Sequence, residues 1–126
     1  MSAPEVAAEL ERAIHAHIVS MPAAEQTGSG RLYIKVDLGE SKAPPDAPER
    51  YVGVLFLSMP RVGADREWLT KVMEYVRDGF ERGRIPTGAH RVTLDADQSF
   101  ESFHDDEAGI DLLNLPATLT VDPRDV

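Results

Sequence analysis

Between Arg31 and Leu38 apolar and polar residues alternate without a break. Leu32, Ile34, Val36 and Leu38 fall on one side, and Arg31, Tyr33, Lys35 and Asp37 on the other. Side chains of a strand point alternately to its two faces, so this segment is a half-buried strand with one face toward a core. Tyr51 to Met59 is different: apart from Gly53 and Ser58 it is apolar on both faces. Such a strand lies centrally in a sheet, or has one face covered by a partner molecule. The segment between them, Gly39 to Arg50, holds Pro44, Pro45 and Pro48 among charges and has no apolar period. It reads as a long mobile loop that turns the two strands into an antiparallel hairpin.

Two amphipathic helices bracket the second strand. Ser2 and Glu5 stand at capping-box spacing with Pro4 in the first turn, and Val6, Leu10, Ile14 and Ile18 repeat every four residues. A helix over about 3–20 follows, stopped by Pro22 and Gly28-Ser29-Gly30. Further on, Asp65 is a good N-cap, and Leu69, Val72, Met73, Val76 and Phe80 form a face wide enough for core packing. Gly83 is placed to end that helix as its C′ residue, with Arg82 and Arg84 at the negative end of the dipole. Arg91–Leu94 forms a short strand, and Leu113, Leu115, Ala117, Leu119 and Val121 alternate in a terminal one. Pro116 cannot donate to a ladder, which predicts an edge or a bulge there. The expected fold is a single α+β domain over 1–126, in the order α-β-β-α-β-β, with two helices on one face of a mainly antiparallel four-stranded sheet.

Composition narrows the function. The chain has 126 residues, 42% of them hydrophobic, which is enough for one core. It has no cysteine, so disulfide frameworks and thiolate zinc sites are excluded. Val52–Met59 is far too short to span a bilayer, and the N-terminus lacks a signal-peptide pattern, so a soluble protein used inside a cell is expected, with no membrane partner. The formal charge is −9, and Asp95, Asp97, Glu101, Asp105, Asp106, Glu107 and Asp111 form a run without a single Lys or Arg. Gripping nucleic acid by its phosphates needs a basic face, so that activity is disfavoured. An acidic surface past which DNA slides is compatible with the charge.

Catalytic and metal motifs fail one by one. His15 and His17 are two apart on a helix and point in different directions, and His90 follows a turn, so surface or core-edge positions are expected for them. His104-Asp105-Asp106-Glu107 is the one cluster with acid–base or hard-metal character. Asp95, Asp97, Ser99 and Asp106 even fall at positions 1, 3, 5 and 12 of an EF-hand-like count, but position 6, which needs Gly, is Phe100. The segment therefore reads as a solvated acidic loop. No serine sits in a G-x-S-x-G elbow, and no phosphate-binding glycine motif occurs. Trp68 and Tyr75 lie on adjacent flanks of the second helix and read as packing at the core edge. No catalytic, cofactor or metal residue is assigned, and a non-enzyme is expected.

The order of elements resembles the tail terminator proteins of long-tailed bacteriophages and related gene transfer agents. The resemblance rests on the helix Val6–Ile18, the hairpin of Leu32–Leu38 and Val52–Met59 with its long loop, and a second helix ending Phe80-Glu81-Arg82-Gly83. Val92-Thr93-Leu94, the acidic stretch Asp105–Gly109 and a final Leu-Pro strand complete it. It implies a structural virion protein, made in the bacterial cytoplasm and sited at the head-proximal end of the tail. Such proteins form a ring, typically a hexamer, on the tail tube protein, stop its polymerisation and offer a surface to the head connector while DNA passes through. Lys42, Asp46, Arg50 and Tyr51 are then candidate interface residues, and Asp95, Asp97, Glu101, Asp105, Asp106 and Glu107 a candidate acidic surface. A rival reading fits the same charge: an acidic immunity protein that masks a basic toxin.

Overall fold

The computed structural model describes residues 2–22, 32–40, 50–88, 90–96 and 99–123. Its elements are α1 (Ala3–Val19), β1 (Tyr33–Glu40), β2 (Tyr51–Pro60), α2 (Arg66–Glu81), β3 (His90–Asp95), β4 (Glu101–Asp105) and β5 (Ile110–Pro123). Both helices begin where their caps predict. The Ser2 hydroxyl accepts from the Glu5 amide at 3.4 Å, and the Asp65 carboxylate from the Trp68 amide at 3.1 Å. Each satisfies one of the orphan N–H groups of a first turn. The stripe Val6, Leu10, Ile14 and Ile18 is buried, as are Leu69, Val72, Met73 and Val76 of α2. Helix α2 stops at Glu81, with Gly83 beyond its cap at φ +68°.

The sheet is antiparallel throughout its described ladders and runs β1-β2-β5-β3, with β4 also paired to β5. Residues paired across antiparallel strands share a face. Val36, Leu55 and Ala117 therefore lie on one face, together with Leu57, Met59, Leu115, Leu119, Val121, Val92 and Leu94. All of these are buried and join the helix stripes in one apolar cluster. The ring of His17 stacks on Tyr75 at 4.3 Å, fastening α1 to α2, and the Ser20 hydroxyl lies 3.1 Å from the Tyr75 hydroxyl.

Three expectations need correction. The sheet has five strands rather than four, in the order α-β-β-α-β-β-β, because part of the acidic segment is itself a strand. β3 and β4 pair with the same side of β5, β3 from Thr118 onward and β4 up to Asn114. Neither ladder includes residues 115–117 of β5, and residues of the same parity pair on both sides of that gap. Pro116 sits in that gap, so a central strand accommodates it where neither β3 nor β4 pairs beside it. This narrows the edge-or-bulge expectation, since β5 is central rather than an edge. The hairpin loop is also shorter than expected, because β1 continues to Glu40 and pairs there with Tyr51. Residues 41–49 lie outside the described set.

Candidate functional site

No described helix lies on the second face of the sheet. By register it carries Tyr33, Lys35 and Asp37 of β1, Val52, Val54, Phe56, Ser58 and Pro60 of β2, and Ile110, Leu112, Asn114, Pro116 and Thr118 of β5. The far side adds Glu101 and Phe103 from β4 and Arg91, Thr93 and Asp95 from β3. Apolar residues recur on this face in two rows. Phe103, Leu112 and Pro60 form one at its end, and Phe56 and Pro116 face each other four residues along, with Tyr33, Ser58, Asn114 and Glu101 in the row between. Phe103 is 55% exposed and Val52 42% exposed, large apolar surfaces for a face open to water. Beside these rows stand exposed charges: Lys35, Asp37, Asp95, Glu101 and Arg91. Exposed apolar side chains bordered by charges are a feature of protein contact surfaces. The row between, Tyr33, Ser58, Asn114 and Glu101, contains a polar oddity. The Asn114 side-chain oxygen is buried and has no hydrogen-bond partner.

At one end of the sheet β4 and β5 close into a hairpin. Asp105 organises the turn, its carboxylate accepting from the Glu107 amide at 3.0 Å and the Ala108 amide at 3.4 Å. Its carbonyl accepts from the Gly109 amide at 2.8 Å. Gly109 has φ +65°, a conformation that costs a side-chain-bearing residue free energy and glycine little. His104 and Asp111 face each other across the hairpin, with the imidazole Nδ1 2.7 Å from the carboxylate. Asp106 lies 3.7 Å from the other ring nitrogen. Asp106 and Glu107 are exposed. Among the described residues no group of three or more acids and histidines is placed to hold a metal ion.

The candidate residues named from the sequence fall in several places. Asp95 ends β3, Glu101 opens β4, and Asp105, Asp106 and Glu107 form the hairpin turn, so these acids spread along one side of the sheet rather than forming a loop. Lys42, Asp46 and Asp97 lie outside the described residues. Arg50 bridges the start of β2 to β5 through a 2.8 Å ion pair with Asp122. Tyr51 does not belong to an interface: it has the parity of Leu55 and Leu57, is 2% exposed and packs inside the core. His90 is likewise no free surface residue, for its ring meets Tyr51 edge-on at 6.3 Å. The helix-free face is the counterpart of the expected placement of both helices on one side of the sheet. Its signal was present in the two-sided apolarity of β2, whose outer residues, Val52, Val54 and Phe56, have no helix to cover them.

Concavities elsewhere are open grooves. One of about 470 Å³ runs between the end of α2, at Phe80 and Glu81, and the outer edge of β3. Another of about 230 Å³ lies between α1 and the turn before β3, with Glu9 and His90 on its walls. No described helix is long and apolar enough to cross a membrane. No family model matches the chain, and no curated protein matches it at a meaningful level of similarity.

Proposed function

We propose that this chain is a structural virion protein: a tail terminator that assembles as a ring, of six copies in the simplest case, on the last ring of a tail tube. It ends polymerisation of the tube and presents its far side to the head connector, and DNA passes through without specific binding. The observation that carries this reading is the face that no described helix covers, with Phe103 and Val52 exposed on it beside charged residues. A ring needs heterologous contacts, in which two different patches of one subunit meet. The apolar face supplies one of the two patches, and the exposed acids Asp106 and Glu107 at the hairpin end lie outside it.

The test is the absolute mass of the purified protein by light scattering over a concentration series, alone and mixed with tail tube protein. A ring mass in either condition, lost in a Phe103→Asp variant that keeps its circular dichroism, supports the reading. Monomers at high concentration in both conditions overturn it.

A second reading, an acidic inhibitor of a basic toxin, is favoured by the exposure of the hairpin turn, where the Asp106 side chain is 98% exposed. Opposite charge speeds association and selects partners. Reversing Asp106 and Glu107 to Lys abolishes binding on this reading and leaves ring assembly intact on the first.

A further inference from the structure

Among the described residues β1 is the outermost strand on its side of the sheet and pairs only with β2. In an antiparallel strand the N–H and C=O of one residue point to the same side, and successive residues alternate sides. The Val36 amide does not donate to β2. It donates to Oε1 of Glu11, on α1, at 2.7 Å. Val36, and by alternation Ile34 and Leu38, therefore turn their backbone groups outward. An edge of this kind is a template for another strand unless something covers it.

The strand on offer is complementary to itself. A second copy of β1 laid antiparallel about a two-fold axis at Val36 would form a hydrogen-bonded pair there, exchanging two N–H···O=C bonds. Lys35 would then stand opposite Asp37 of the second copy, and Asp37 opposite its Lys35. Ile34 and Leu38 would pair on the core face. Opposite charges directly across a ladder favour such a register. Glu11 occupies the bond on which that axis would sit. It is carried there by α1, whose Leu10 and Ile14, on either side of Glu11, are anchored in the core.

We infer that Glu11 guards the β1 edge: its carboxylate takes the hydrogen bond that a second copy of β1 would need, and so stops the sheet from growing through a self-complementary edge. Contacts between copies are thereby confined to other surfaces of the protomer. The inference does not rest on the ring reading, because it concerns a change relative to the wild-type assembly, whatever that assembly is.

The experiment compares wild type with Glu11→Ala, Glu11→Gln, and Glu11→Ala combined with Lys35→Asp. Two quantities are read: amide hydrogen exchange at Val36, and mass by light scattering as a ratio to wild type. In wild type the Val36 amide should exchange about 10-fold or more slowly than those of Ile34 and Leu38, which lack the guard. Glu11→Ala should erase that difference in dilute solution and raise the mass toward twice the wild-type value as concentration increases. Glu11→Gln should resemble wild type, since its amide oxygen still accepts. Lys35→Asp in the Glu11→Ala background should return the mass to the wild-type value, because it sets like charges across the axis. An unchanged mass in Glu11→Ala overturns the inference, since the helix itself would then close the edge. So does a wild-type Val36 amide that exchanges as fast as Ile34 and Leu38, a result that needs no variant to fold. The ring reading stands or falls separately, on the wild-type mass.

Discussion

Gly53 lies in the middle of β2, between Leu38 of β1 and Leu119 of β5, on the face that carries the core. A Cβ built there would stand 2.8 Å from the Asp37 carbonyl carbon and 2.8 Å from the Leu38 Cα, and would overlap the Asp37 carbonyl oxygen. The obstacle is backbone, which cannot rotate aside as a side chain could. Gly53→Ala therefore opposes two effects of known sign. In an unobstructed strand the substitution stabilises by about 0.5–1 kcal/mol, because glycine loses more conformational freedom on folding. Overpacking in a close-packed interior costs about 1–3 kcal/mol, and the central ladder must open to admit the methyl group. The clash dominates, and a net destabilisation of about 1–2 kcal/mol is expected from these two ranges. With a urea m-value of about 1–3 kcal/mol/M, the unfolding midpoint should fall by roughly 1 M. The assay is urea titration followed by circular dichroism, with m required to match wild type so that the midpoint reports stability. A midpoint equal to or above wild type would refute the close approach of β1 over β2.

Three other substitutions probe separate parts of the fold. Leu119→Ala removes a side chain with no exposed surface from the centre of β5, and should cost about 2–5 kcal/mol in the same titration. Asn114→Val deletes the buried oxygen that has no partner and adds a good strand former, so unfolding should need about 1 kcal/mol more in the isolated protein. Arg50→Ala breaks the 2.8 Å pair with Asp122, but the two side chains are 55% and 38% exposed, so thermal unfolding should register a loss of under about 1 kcal/mol.

Much of this architecture was legible before any coordinates. The caps at Ser2 and Asp65 and the apolar stripes of both helices marked α1 and α2 within a residue or two. Clean alternation marked β1. β4 was hidden for a physical reason. Glu101-Ser102-Phe103-His104-Asp105 buries neither face, so no hydrophobic period betrays it, and it is a strand only because β5 offers a ladder. The signal that could have found it is the turn, with Asp105 four residues before Gly109, and Phe103 and Leu112 symmetrically placed about Asp105 and Ile110. Tyr51 stands among the interface candidates only through the family resemblance, and its parity with Leu55, Leu57 and Met59 places it inward. The apolar outer residues of β2 suggested either a covered sheet or a partner surface, and only the placement of both helices on one side separates the two.

β5 is the shared spine of the sheet: it alone joins β2 to β3 and holds β4. It is also the last element of the described chain to be made. During synthesis α1, the β1–β2 hairpin and α2 emerge before Leu113, Leu115, Ala117, Leu119 and Val121 of the core are made, and β3 has no neighbour to pair with. An isolated hairpin is marginal in water, so the nascent chain has little to hold it until residues 110–123 leave the ribosome. Folding is thus deferred to a single late event built on long-range pairings, which is intrinsically slow. Until that moment the apolar residues of β2 face water on both sides, and a stalled or truncated chain is the form of this protein most prone to aggregate.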